Sequence, residues 1–275
     1  MLMVILKRLL LAVPTLIGVV IVTFLLTRAL PGDPAAYFAG PAATKQAIEQ
    51  VRAQLGLDKP LPVQFVRYVN DLAHGDLGNS LTTGQPVAKE IRNRLPASAE
   101  LTLLALIISV LIAVPLGILA ATNPGSFIDH ACRVITTAGV SLPVFFTGLI
   151  FVYVFYYLLG WAPPPLGRLD IFFSAPPSIT GFFLIDSLIA GKLDLFRAAL
   201  AQLMLPSLTL AIFSLAPIAR MTRAAMLAAL ASDFVRTARA SGLTPYTVIV
   251  TYAFRNAMLP VITTLGKVVE FLLGD

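Results

Sequence analysis

Few residue types in this chain sit at spacings that support chemistry. His74 and His130 lie far apart, and neither has a second His or Cys at ligand spacing, so no metal site is expected. The lone thiol, Cys132, has no partner for an intrachain disulfide. No G-x-x-x-x-G-K-[ST] string occurs, so the chain brings no phosphate-cradling loop of its own. HExxH and GxSxG are absent too. No pair of acids has a spacing that suggests acid–base work. The expectation is a non-enzymatic chain without catalytic, cofactor-binding or metal residues. What stands out is one cationic segment, 220–256, with Arg220, Arg223, Arg236, Arg239 and Arg255 against a single acid, Asp233.

Within that segment, Ser232 can cap a helix start, and Asp233 lies favourably in the first turn against the helix dipole. Phe234, Val235, Arg236, Thr237, Ala238, Arg239, Ala240 and Ser241 make about two turns. Gly242 suits a left-handed stop. After Leu243, Thr244-Pro245 is a cap plus first-position proline that opens a new helix through Arg255 and Asn256 towards Pro260. The product is a helix too short to span a bilayer. As a basic amphipathic segment it suits a membrane surface; as a rigid knob it suits a cytosolic partner. Pattern alone leaves both open.

The elements that would hold this segment are apolar. Of 275 residues, 57% are hydrophobic and 12% charged, with a mean hydropathy of +0.86. Soluble domains carry roughly 25% charged residues. One soluble core cannot absorb so much apolar surface, and lipid is the natural solvent for the excess. The net charge of +6 then reads as basic cytoplasmic loops, not nucleic-acid binding. A span needs about 20 mostly apolar residues. Five segments qualify: Leu9–Ala29, Ala97–Ala121, Val134–Trp161, Ala199–Ile218 and Ala257–Leu273. The first follows Lys7 and Arg8, is longer than a signal-peptide core, and is expected to remain as an uncleaved helix.

Lys and Arg in short loops set the orientation. The segment 220–256 is expected in the cytoplasm. Counting back places the loop near Asn123–Asp129 and the N-terminal Lys7 and Arg8 on the same side, with 31–96 and 162–198 outside. Segment 31–96 reads as a small helical cap. Pro31-Gly32-Asp33-Pro34 makes a turn, Thr44 caps a helix ending at Gly56, Pro62 opens a second ending at Gly75, and Pro86 opens a third leading to Pro96. Pro115, Pro143, Pro206 and Pro217 fall inside spans, either as hinges around a pathway or as ordinary membrane-helix prolines. Spans one to four are expected to hold essentially no acids or bases, which argues against an ion-coupled carrier or stand-alone channel.

The string Asp233-Phe-Val-Arg-Thr-Ala-Arg-Ala-Ser-Gly242-Leu243, followed by Phe254-Arg-Asn-Ala-Met-Leu-Pro260, resembles the ATPase-docking loop of dipeptide/oligopeptide (peptide/nickel-type) ABC importer permeases. Leu30-Pro-Gly-Asp-Pro34, Leu55-Gly-Leu-Asp-Lys-Pro-Leu-Pro62, Gly75-Asp-Leu-Gly-Asn-Ser80, Arg94-Leu-Pro-Ala-Ser-Ala-Glu-Leu-Thr-Leu103, Thr180-Gly181 with Asp186-Ser-Leu188, and Leu205-Pro-Ser-Leu-Thr-Leu210 are similar to the family in order and spacing. The wider superfamily has Glu-Ala-Ala before the loop glycine; this chain keeps Gly242 without that lettering, as the peptide/nickel branch does.

The resemblance implies an all-α, polytopic permease of type I ABC importer architecture, a single transmembrane domain over 1–275. It implies a coupling helix over Asp233–Leu243 that fits a groove on an ATPase. The implied partners are two ATP-binding cassette subunits, a second homologous permease and a periplasmic or extracellular binding protein, at the inner membrane, with no cofactor and no nucleic acid. The implied cargo is di- or oligopeptides, with a nickel complex or glutathione as the alternative. Family members usually have a sixth span, whereas this sequence stops at Asp275: either the sixth span is missing after that point or the gene product is short. Lys267 and Glu270 stand where the family has small or apolar residues; they either pair at i,i+3 or mark an altered tail.

Overall fold

The computed structural model describes residues 2–29, 33–40, 42–80 and 82–274. Every regular element among them is helical, the sole β-type pairing being an isolated bridge between Asn79 and Pro86. The chain forms two compact units, one up to Asn93 and one from Arg94 onward.

The first unit opens with α1 (Leu2–Ala29), along which only Phe24 is buried among the described residues. A helix that shows apolar side chains on all sides needs an apolar solvent. Helix α2 (Pro34–Ala39) is short and capped by Asp33, whose carboxylate accepts from the Ala35 N–H at 3.0 Å. It was not anticipated, although Asp followed by Pro is a strong start signal. The rest of the expected turn, Pro31 and Gly32, lies outside the described residues. Helix α3 (Lys45–Gln54) starts at Thr44 as read from sequence, and its cap hydroxyl accepts from Ala47. Helix α4 (Leu61–Ala73) ends before Gly75, which has φ of +81°. Phe24 of α1 packs edge-on against Phe65 of α4 at 5.2 Å, and Arg28 reaches the Gln64 amide oxygen at 2.8 Å.

Helix α5 (Val87–Thr122) corrects the sequence reading. The third cap helix and the second span are one continuous 36-residue helix, which runs through Pro96. Proline ends a helix only when the turn before it cannot relinquish one backbone bond. Pro115, Pro206 and Pro217 are likewise carried inside unbroken helices.

Pro143 alone of the four does break its span. Helices α6 (Phe127–Ser141) and α7 (Val144–Phe151) meet at 100°, so Val134–Trp161 is not a single straight helix. After α7 the backbone widens into π turns over Val152–Leu158. Helix α8 (Phe183–Ile189) is short; α9 (Leu193–Leu230) is 38 residues long; α10 (Asp233–Ala240) follows. A π-wound stretch, Thr247–Phe254, leads into α11 (Arg255–Gly274). Among the described residues four helices are long and apolar enough to cross a membrane, or five if the bent α6–α7 pair counts as one span.

The second unit packs around α9. Along α5 the buried residues Ala105, Ser109, Ala113, Gly117 and Ala121 recur every fourth position. Such a strip of small side chains lets helix backbones approach closely where lipid offers no hydrophobic drive to associate. At Gly117 a Cβ would lie 2.6 Å from the Thr222 Cβ and 2.9 Å from the Ala219 carbonyl oxygen of α9. Higher up, the Ser109 hydroxyl donates to the Ala211 carbonyl at 3.1 Å. Ile218, Ala219 and Cys132 complete this core with Val268 and Leu272 of α11.

Candidate functional site

Helix α10 is where the sequence placed it, and its packing has two faces. Val235 and Ala238 lie three residues apart, hence on one side, and both are buried. They belong to one buried apolar cluster with Met226 of α9, Ala121 of α5, Val248 and Ala253 of the π-wound turns, and Ala257 of α11, and α10 itself packs chiefly on the π-wound turns and on α9. The other positions singled out from sequence (Asp233, Phe234, Arg236, Thr237, Arg239, Ala240, Ser241, Gly242 and Leu243) are all exposed. The helix is therefore a rigid stub, seated through two small apolar side chains on α9 and on the π-wound turns that lead into α11, with its remaining surface open.

Its boundaries follow the local chemistry with one exception. Gly242 has φ of +73° and its N–H bonds the Arg239 carbonyl at 3.0 Å, the left-handed stop expected of glycine. Thr244 accepts from the Thr247 N–H at 3.3 Å and opens the next helix. Ser232 has cap geometry at the backbone, yet its hydroxyl turns back to the Ala229 carbonyl and makes no cap bond. The start of α10 rests instead on Asp233 in the first turn and a 3.3 Å contact from Arg236 to Asp233. That pair is well exposed and adds little.

Three buried acids, none foreseen, fix the surroundings. Asp129 in the first turn of α6 is fully buried and accepts from Arg223 of α9 through Nε at 2.6 Å and Nη2 at 2.9 Å. Arg133 and the Gly125 N–H complete its shell at 3.1 and 3.0 Å. This fork ties α6 to α9 one turn before Met226, which seats α10. Ser126 with Asp129 three residues on is a capping-box pattern, so the helix start was readable; the partner, 94 residues away, was not.

The second acid, Glu100, sits inside an expected span and corrects the reading that spans one to four hold essentially no acids. It is 4% exposed, accepts from Arg168 at 2.6 Å and from the Leu184 N–H at 2.7 Å. Arg168 also bonds the Gly181 carbonyl and lies 3.6 Å from the centre of the Phe183 ring. An acid paired in this way ties the start of α5 to the 162–192 segment.

The third, Asp186, receives the Thr180 hydroxyl at 2.7 Å and the N–H groups of Ile179, Thr180 and Gly181. Burial by itself pushes this carboxyl up, but the four hydrogen bonds outweigh it and hold it below the usual carboxylate range. No cluster among the described residues has three groups that could hold a metal ion. Lys267 and Glu270 are both exposed on α11, and no ion pair links them.

Residues 113–275 match the family described as the binding-protein-dependent transport system inner membrane component, and residues 1–102 match the N-terminal part of the membrane component of such systems. The chain is 46% identical over 258 residues to the probable D,D-dipeptide transport system permease protein of Escherichia coli (strain K12), covering 94% of this chain and 74% of that one. It is 43% identical over 269 residues to the di/tripeptide transport system permease protein of Pseudomonas aeruginosa (strain UCBPP-PA14), covering 98% and 80%. It is 40% identical over 278 residues to the dipeptide transport system permease protein of E. coli (strain K12), covering 100% and 81%. A helical chain with four to five apolar candidate spans among its described residues, matched along its length, belongs to the family of inner membrane components of binding-protein-dependent transport systems: it is a multi-pass transport permease.

Proposed function

We propose that this permease imports di- or oligopeptides by alternating access, driven by separate ATPase subunits that dock on Asp233–Leu243. The observation that carries the reading is the two-faced seating of α10. Val235 and Ala238 seat it on α9 and on the π-wound turns that lead into α11, while Phe234, Arg236, Thr237 and Arg239 are exposed. In this reading force on such a stub passes into α9 and α11, because packed helices move as rigid bodies and do not deform continuously. The relatives named for dipeptide and di/tripeptide transport support the peptide cargo.

In this reading a second homologous permease completes the pathway, two ATPases close on ATP and draw the two stubs together, and a binding protein delivers cargo from outside. The cationic 220–256 segment then faces the cytoplasm with the N-terminus, and 31–96 forms a helical region outside. The whole chain acts as one permease domain in this scheme.

The test is co-purification of the complex from native membranes, followed by ATP hydrolysis in proteoliposomes with the binding protein. Stimulation by di- or oligopeptides supports the proposal. Stimulation only by glutathione or a nickel chelate overturns the cargo, and uptake by the purified chain with no ATPase present overturns the mechanism.

A further inference from the structure

An apolar cleft of about 450 Å³ opens between the α7 end of the bent pair and the first half of α9, bordered by Pro163 and Pro165. Val144, Phe145, Leu205 and Leu210 form much of its wall, and no charged side chain lines it. Two polar residues interrupt the apolar wall: Thr209, whose hydroxyl bonds the Leu205 carbonyl at 3.0 Å, and Gln202. Gln202 is 7% exposed, and its Nε2 amide nitrogen has no hydrogen-bond partner. Buried polar groups are almost always paired, so an orphaned amide beside a cleft marks a position where a ligand supplies the missing partner. Pro206 lines the same cleft and has no N–H to give to the main-chain carbonyl of Gln202, one turn before it. At this level of α9 the wall thus presents an amide donor, on the turn whose backbone Pro206 deprives of one helical hydrogen bond.

We propose that the cleft is a subsite for one residue of the transported peptide, with the apolar side chain held between α7 and α9 and the adjoining peptide group hydrogen-bonded to Gln202. The inference deepens the peptide-import reading and rests on it. A peptide group carries both an N–H and a C=O, so it complements a primary amide at either end. A lipid tail or a metal ion offers no such pair. Pockets of roughly 300–1,000 Å³ hold small ligands, and this one is of a size for a single large side chain with its peptide group. The uncharged wall suits an apolar side chain, and the charged terminus borne by the same residue of a dipeptide lies outside the cleft, where it is not stranded.

The experiment uses the assembled transporter in proteoliposomes, with binding protein in excess and labelled Ala-Phe and Ala-Ala as cargo. A dipeptide bearing a benzoylphenylalanine side chain is photolysed during turnover of the unaltered complex. The expected label falls on Phe145, Leu205 or a neighbouring wall residue. Leu205→Trp, which fills the cleft, is expected to lower the ratio of Ala-Phe to Ala-Ala uptake by about tenfold. Gln202→Leu is expected to slow both cargoes by about tenfold, the effect of one lost hydrogen bond. If peptides are transported but the photolabel misses every wall residue, or both variants handle both cargoes like the parent, the subsite is overturned and peptide import stands. If the parent complex carries no peptide, both readings fall together. Should a variant fail to assemble, the photolabel on the unaltered complex decides.

Discussion

Asp129 and Arg223, 94 residues apart, form a forked ion pair with two contacts of 2.6 and 2.9 Å, and the carboxylate is fully buried. The pair clamps the first turn of α6 to α9 just before the helix end that seats α10. Removing one partner of a buried pair leaves the other without compensation, which is the costly way to break it. Asp129→Asn is expected to lower the melting temperature of the detergent-purified protein by several degrees, and Arg223→Gln similarly. Because each single change strands the other group, the double variant is expected to lose clearly less than the sum. Additive losses in differential scanning fluorimetry would show that the two residues act independently.

Gly117 tests the close crossing of α5 and α9. A methyl group there meets the Thr222 Cβ at 2.6 Å and the Ala219 oxygen at 2.9 Å, both well inside van der Waals contact. Gly117→Ala is expected to destabilise the fold by about 1–3 kcal/mol through overpacking, despite the better helix propensity of alanine. Thermal denaturation in detergent reads this directly; an unchanged or raised midpoint contradicts the packing described.

Asp186 makes the 179–186 turn sensitive to acid. Its folded carboxyl is held below its unfolded value of about 3.9. The stabilisation it gives is therefore fully present above that unfolded value and is lost as pH falls through the lower, folded one. Amide hydrogen exchange at Ile179, Thr180 and Gly181 is expected to stay slow at neutral and mildly acidic pH, once corrected for intrinsic rates. Protection should fade only in stronger acid. Asp186→Asn is expected to remove that protection already at pH 7.

The buried seat of α10 and the glycine stop that ends it are both testable. Val235 is completely buried, and Val235→Ala removes two methyl groups' worth of contact, roughly 1.5 kcal/mol. Gly242→Ala forces a side chain into a left-handed backbone, at about 1–2 kcal/mol. Both are expected to insert normally and bind the ATPase, yet to uncouple ATP hydrolysis from transport in part, raising the ATP used per peptide moved. A hydrolysis-to-transport ratio equal to that of the parent would show that the seat plays no part in coupling.

Much of this organisation is legible in the sequence because local chemistry dictates it. Gly242 with Thr244-Pro245 sets the end of α10 and the start of the next helix, Thr44 starts α3, and runs of apolar residues mark the spans. Local signals also mislead. Pro96 was read as a stop, but α5 continues through it, because proline costs one backbone bond and neighbouring structure tolerates that loss. Pro143 looks the same in sequence and does break its span. Which outcome occurs depends on what packs around the turn, and no single segment carries that information. The same reason hid Glu100 with Arg168 and Asp129 with Arg223: each pair is brought together by helix packing across 68 and 94 residues. Gln202 became noticeable only once its neighbours proved unable to satisfy it.

The central claim is that the exposed face of α10 receives an ATPase, and photo-crosslinking tests it most directly. A benzoylphenylalanine placed at Arg236 or Ala240, both exposed, is irradiated in the assembled complex in native membranes. Both positions are expected to capture the ATP-binding subunit, and a probe at the buried Val235 is not. Capture of lipid alone from Arg236 and Ala240, or labelling of either from the outer side of the membrane, would contradict it.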